Sequence, residues 1–283
     1  MPALRKTVTP TTVWLNGRLT SLSRAKLGVL DAGFQCGDGV FETVAARNGH
    51  LIAPLRHWHR LVYSCRALRL HTVSPDEFEA ALWAVLGCSG LSEARLRFSI
   101  SRGVGGKQTY LVTAAAMPDY TQPEKLVLSP WCVNRRGPLQ GIKSLSYAGQ
   151  LRVREEAKRL GAGEALMCTE DGELSEASTC NVFVVKEGRI QTPWLESGCL
   201  PGVTRAIVIE SCLLEGIRIE ERALAMSDCR QVEEAFLTSC LRGVQPVVQW
   251  LEQTLPAPGP VTAQVMAIYQ RVLLSMQSEN LSR

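Results

Sequence analysis

Short alternating runs of apolar and polar residues dominate the first fifty positions, and Asn-Gly pairs interrupt them. In "VWLNGRLTSL" and "ETVAARNGHLIA" the pair separates two extended stretches, so each segment predicts a β-hairpin. The period then lengthens. "PLRHWHRLVYSCRALRL" has helical spacing that lets Leu55, Leu61, Val62 and Leu68 share one face. "SPDEFEAALWAVLGCSG" predicts a second helix, with Ser74 or Asp76 as N-cap, acids early for the helix dipole, and a closing glycine. Alternation returns in "ARLRFSISRG" and "TYLVTAAAMP", which read as strands.

The polar, proline-bearing stretch "PDYTQPEK" separates two strand-like segments and sets the expected boundary: an N-terminal domain over 1–122 and a C-terminal domain over 123–283. Beyond it the pattern predicts a strand in "KLVLSPWCV", a helix in "GQLRVREEAKRLG", and hairpins turning at Asp171-Gly172 and Glu187-Gly188. A helix starting in "LPGVTR", strands in "RIEERALAMSD" and "EEAFLTSCLRGVQPVVQW", and a terminal helix "GPVTAQVMAIYQRVLLSM" complete the chain. Hairpins mixed with helices, without regular strand–helix alternation, predict an α+β fold rather than a doubly wound parallel sheet.

Composition narrows the classes. Of 283 residues 46% are hydrophobic and 20% charged, so a sizeable core is available. The net charge of +4 is spread among acids rather than blocked, which argues against a nucleic-acid partner. No apolar run reaches the length of a membrane span, and the N-terminus lacks the apolar stretch of a secretory signal. Ten cysteines occur singly without a CxxC pair, so reduced thiols and a cytoplasmic setting are expected.

Candidate chemistry lies in the second half. In "LPGVTR", a Pro-Gly turn opens onto an apolar helix, whose first N–H groups suit an anion as well as an ordinary cap. In "IKSLSY", Lys143 sits among apolar and small residues at the expected end of a strand; only seven lysines stand against 24 arginines. An apolar wall would free its amine for Schiff-base chemistry, whereas a snorkelling lysine needs no function. Between the two, Glu176 ends one strand and Asn181 begins the next. His57 and His59 point apart on a helix and read as surface or interface histidines without a metal. "REEAKRLG" reads as a charged surface helix pairing Glu155 with Arg159. Phe41-Glu42-Thr43 reads as core and hairpin, with no chemistry for Glu42.

The segments "FQCGDGVFET", "HWHRL", "KSLSYAGQLRVREEA", "DGELSEASTCNVFVV", "RIQTP" and "LPGVTR" together resemble the class IV pyridoxal-phosphate enzymes, in order and spacing, from about Trp14 to Gln270. The resemblance implies a D-amino-acid-aminotransferase-like fold, with a smaller N-terminal α/β domain and a larger C-terminal domain holding a barrel-like sheet. It implies pyridoxal 5'-phosphate as cofactor, a small-molecule amino substrate, and a homodimer with each pocket near the subunit interface. Lys143 is then the Schiff-base lysine and Glu176 the carboxylate facing the pyridine nitrogen. Arg60 matches the phosphate-binding arginine, Val203 and Thr204 the phosphate-binding amides, and Ser239 and Cys240 a further phosphate turn.

Within the family, "ISRGVGGK" and "TSCLRGVQPV" are similar to segments of aminodeoxychorismate lyase, which releases 4-aminobenzoate and pyruvate in folate biosynthesis. That activity is the expectation, with a branched-chain or D-amino-acid aminotransferase as the alternative and a non-catalytic cofactor-binding protein as a remote one. Departures fall at Cys36, where the family has an aromatic pocket residue, at Lys107, where the lyase has arginine, and at Ser146-Tyr147.

Overall fold

The computed structural model describes residues 11–281, with side chains as far as Gln277. The reading of the N-terminus as leaderless rests largely on residues 1–10 and lies outside the described residues. Two compact units divide the chain. One runs to Pro118 and includes Lys143–Ser146; the other comprises Asp119–Ile142 and Tyr147–Ser278. The division between the units falls after Pro118, inside the stretch expected to hold the boundary, and it is not a single cut, because a four-residue segment bearing Lys143 belongs with the first unit.

The first unit is built from β1 (Thr12–Leu15), β2 (Arg18–Ser21), α1 (Ala32–Cys36), β3 (Gly39–Arg47), β4 (His50–Leu51), α2 (Pro54–Ala67), α3 (Pro75–Ser89), β5 (Ala94–Val104) and β6 (Lys107–Ala116). They form one antiparallel sheet in the order β2-β1-β6-β5-β3-β4. Both Asn-Gly hairpins form, with Asn16, Gly17, Asn48 and Gly49 at positive φ as tight turns require. The start of α3 follows its sequence signals. Ser74 Oγ accepts from the Glu77 amide at 3.1 Å, Pro75 opens the helix, and Gly90 ends it at φ 66°. Its Phe78 and Leu82 are buried, and the Phe78 ring lies 4.9 Å from that of Phe98 on β5. Each such side chain contributes about 1.5–3 kcal/mol by leaving water.

α2 departs from the expected pattern. Its buried residues are His57, Leu61, Ser64 and Cys65, while Leu55 is exposed and Val62 and Leu68 are only half-buried. The inward stripe is partly polar because a buried carboxylate on β3 waits for it, as described below.

The second unit follows with β7 (Glu124–Leu128), α4 (Ala148–Arg159), β8 (Glu164–Cys168), β9 (Leu174–Ala177), β10 (Asn181–Lys186), β11 (Arg189–Pro193), α5 (Val203–Leu214), β12 (Ile219–Arg222), β13 (Glu234–Ser239), β14 (Gly243–Trp250), β15 (Gln253–Thr254) and α6 (Pro260–Leu281). The nine strands form one mixed sheet, β12-β11-β10-β13-β14-β7-β8-β9, with β15 on β14. Val182–Val185 are buried on both faces, so β10 reads as a continuous apolar run rather than an alternating one. Phe183 stacks on Phe236 of the neighbouring strand at 4.7 Å. On α4 the ion pairs are Arg152–Glu155 and Glu156–Arg159, each at i,i+3, and not the expected Glu155–Arg159. All ten cysteines are free thiols, and burial pushes Cys65 and Cys180 up to about 12. No helix among the described residues is long and apolar enough to cross a membrane.

Candidate active site

β4 pairs only with Ala46 and Arg47, so the first half of β3 keeps an open edge. The segment around Lys143 covers it. Phe41 N donates to Lys143 O at 2.8 Å, Leu145 N donates to Gly39 O at 2.8 Å, and Ser144 bridges Val40. From the helix side, Lys143 N donates to Ser64 Oγ at 3.5 Å. Lys143 is thus not at the end of a strand, as its sequence suggested; it rides on an irregular segment seated against β3. Its half-buried side chain places Nζ 4.5 Å from the centroid of the Phe41 ring, and the Arg97 guanidinium lies 3.5 Å from the same centroid.

Beside Phe41, the Glu42 carboxylate is fully buried. Arg60 grips it with Nε at 2.8 Å and Nη2 at 2.7 Å, and His57 Nδ1 lies 2.8 Å from it. Residues 57, 60 and 64 recur at helical spacing, so α2 presents His57, Arg60 and Ser64 on one face. Burial alone would raise the Glu42 pKa, but the charge and hydrogen bonds of Arg60 and His57 lower it to about 2. An ionised carboxylate only accepts, so the proton between them belongs to His57 Nδ1. Burial lowers the His57 pKa; Glu42 opposes that shift, while the charges of Arg60 and Lys143 add to it. His57 is therefore a buried neutral imidazole and not a surface histidine.

The second unit gathers a different set. Glu176 Oε2 accepts from Leu200 N at 3.0 Å, and Asn181 Nδ2 donates to Leu200 O at 2.8 Å, so both polar groups of one residue are clamped just before α5. α5 starts at N-cap Gly202 with no side-chain cap. A Cβ on Gly202 would lie 1.9 Å from Asn181 Oδ1, so only glycine fits the turn. Val203 and Thr204, both buried, supply the first turn. Ser239 closes β13, with its Oγ accepting from Arg242 N at 3.3 Å, and Cys240 follows it.

The remaining candidates sit elsewhere. Cys36 ends α1, exposed, with Sγ donating to Ala32 O at 3.1 Å. Lys107 is exposed after a Gly105-Gly106 turn, at the rim of a surface hollow lined by Trp14, His71 and Tyr110. The structure therefore seats Arg60, through Glu42, and Lys143, through its backbone, against the same strand β3, and Glu176 against the residue Leu200 shortly before α5. Sequence reasoning passed over Glu42, His57 and Arg97. The available signal for Glu42 was a lone acid inside the apolar run "GVFETVAA".

One unit thus holds a lysine amine near an arginine–glutamate cluster, and the other a carboxylate beside an uncapped helix start. The chain belongs to the class IV aminotransferases: the family model, amino-transferase class IV, matches residues 39–250. Pyridoxal phosphate is the cofactor of this family. The chain is 30% identical over 251 residues to a Methanocaldococcus jannaschii protein provisionally assigned as a branched-chain-amino-acid aminotransferase, covering 84% of this chain and 87% of that one. It is 30% identical over 277 residues to the D-alanine aminotransferase of Bacillus licheniformis, covering 93% and 97%. A Legionella pneumophila structure provisionally assigned as 4-amino-4-deoxychorismate lyase superposes with a TM-score of 0.83 at 23% identity, over 88% of this chain and 96% of that one. At that identity the likeness is one of fold. The expected α+β class IV fold is borne out.

Proposed function

We propose that the chain is a pyridoxal-phosphate-dependent aminotransferase that moves an amino group between a small amino acid and a 2-oxo acid. The observation that carries this is the Lys143 amine, held over Phe41 on a doubly anchored backbone and next to the buried Arg60 cluster. The donor set suits the cofactor: an amine for its aldehyde, a carboxylate for its ring nitrogen, and amides with a guanidinium for its phosphate. When bound, pyridoxal phosphate supplies an electron sink for the carbon bearing the amine.

Lys143 would hold the cofactor and would move the proton to and from that carbon. Glu176, fixed by Leu200 N, keeps the ring nitrogen protonated. Val203 and Thr204 N–H groups at the uncapped start of α5 would hold the phosphate, with Arg60 and the Ser239–Cys240 turn as further candidates. In the first unit, Val29, Leu30 and Phe34 are between 63% and 77% exposed, an apolar surface that a second copy in a homodimer would cover.

A second reading is the lyase, which converts 4-amino-4-deoxychorismate to 4-aminobenzoate and pyruvate. Its support is the likeness of "ISRGVGGK" and "TSCLRGVQPV" to the lyase. Both stretches have scaffold duties here, which lowers their weight. Ser101 Oγ donates to buried Asp31, Arg102 pairs with Asp38 and Leu68 O, and Arg242 and Gln245 bond within one buried network. The named relatives of 30% identity are a D-alanine aminotransferase and a protein provisionally assigned as a branched-chain-amino-acid aminotransferase. Incubation with 4-amino-4-deoxychorismate separates the two: pyruvate release without any added 2-oxo acid would overturn the aminotransferase reading. Turnover of an amino acid only when a 2-oxo acid is supplied supports it.

A further inference from the structure

Arg60 is held by Glu42 within the protein. Its Nε and Nη2 meet both oxygens of Glu42, at 2.8 and 2.7 Å, and the carboxylate is fully buried. His57, itself buried, meets the same carboxylate at 2.8 Å through Nδ1. Glu42 and His57 come from different elements, β3 and α2, so the fork is fixed to the sheet and the helix at once. A bidentate pair sets the guanidinium plane as well as its position, which a single contact cannot do.

We propose that Glu42 is a positioning residue, backed by His57, that orients Arg60 toward the cofactor phosphate. This rests on the reading that Arg60 holds that phosphate. It goes further by giving the buried carboxylate a ligand-specific role, where a plain core ion pair would affect stability alone. Glu42→Gln keeps the shape but replaces one acceptor oxygen with an amide NH2 facing an Arg60 N–H, so the fork breaks.

The test titrates the full-length chain, stripped of cofactor, with pyridoxal 5'-phosphate and with pyridoxal, following absorbance and protein fluorescence. Glu42→Gln is expected to weaken pyridoxal 5'-phosphate about tenfold or more while leaving pyridoxal unchanged. In an Arg60→Lys background, where no fork exists, the same change adds nothing. An equal loss for both ligands, tighter phosphate-ester binding, or simple additivity with Arg60→Lys overturns the proposal. If Glu42→Gln melts early by circular dichroism, His57→Gln must shift the same affinity ratio to a smaller degree, and an unchanged ratio there also overturns it. Should Arg60→Lys leave the ratio of the two ligands intact, the phosphate role of Arg60 falls, and this inference with it.

Discussion

Each unit buries an arginine–glutamate network, and the two are built differently. In the second unit Glu164, wholly buried, accepts from Ser178 Oγ, Thr179 N, Thr179 Oγ1 at 2.5 Å and Arg242 Nη2 at 2.6 Å. Arg242 in turn meets Glu124 and Gln245 and lies 4.2 Å from the Tyr120 centroid. That cluster ties β7, β8 and β14 to one another, and its members satisfy each other. In the first unit Glu42 is equally buried and Arg60 less so, and the cluster adjoins a lysine amine and a backbone segment that is not part of any strand. A buried ion pair is weak evidence for function by itself. The informative difference is the neighbour: one cluster joins strands, and the other adjoins Lys143.

The largest effect expected is from Lys143→Ala, which should abolish turnover with the melting temperature little changed, because the segment is held by its backbone. Borohydride reduction of the holoenzyme followed by peptide mapping should place the pyridoxyl group on Lys143; finding it on another lysine would remove the basis of the assignment. Next, Glu164→Gln should cost about 3–5 kcal/mol in urea unfolding by leaving Arg242 short of a buried partner. The pyridoxal 5'-phosphate to pyridoxal affinity ratio should stay as in the wild type, and a shift in it would erase the contrast between the clusters.

A smaller effect concerns pH. The folded His57 pKa lies below its usual 6.5, and that of Glu42 lies at about 2 against 4.5. For both groups the unfolded chain takes up its proton first as pH falls, so stability drops on acidification. The loss begins near 6.5 through His57 and continues from 4.5 towards 2 through Glu42. Melting temperatures from about pH 8 to about pH 4 should show it, and His57→Gln should remove the upper part of the slope. A flat wild-type profile between about pH 7 and about pH 5 would contradict the buried neutral imidazole. Smallest of all, Arg159→Ala breaks an exposed pair on α4 and should leave the melting temperature within error.

Much of the first unit could be read locally. Asn-Gly turns, the Ser74 cap and the closing Gly90 act within a few residues, so the strands and helices they bound were legible. The stripe on α2 was not, because four leucines and valines at helical spacing outweighed His57 and Ser64 until Glu42, fifteen residues away from His57, was seen opposite them. The i,i+4 pair on α4 failed for a related reason: Glu155 and Arg159 satisfy the spacing, but each found an i,i+3 partner.

The amino-acid order by itself determined most of the elements, the family, and the glycine turn opening α5, because these depend on short-range stereochemistry and on motifs of fixed spacing. Only the tertiary structure decided that residues 143–146 leave their sequence neighbours for the open edge of β3, and that Glu42 holds Arg60. Both outcomes depend on which edge is uncovered and which charge is buried. Those are properties of packing between distant segments, and no local pattern encodes them.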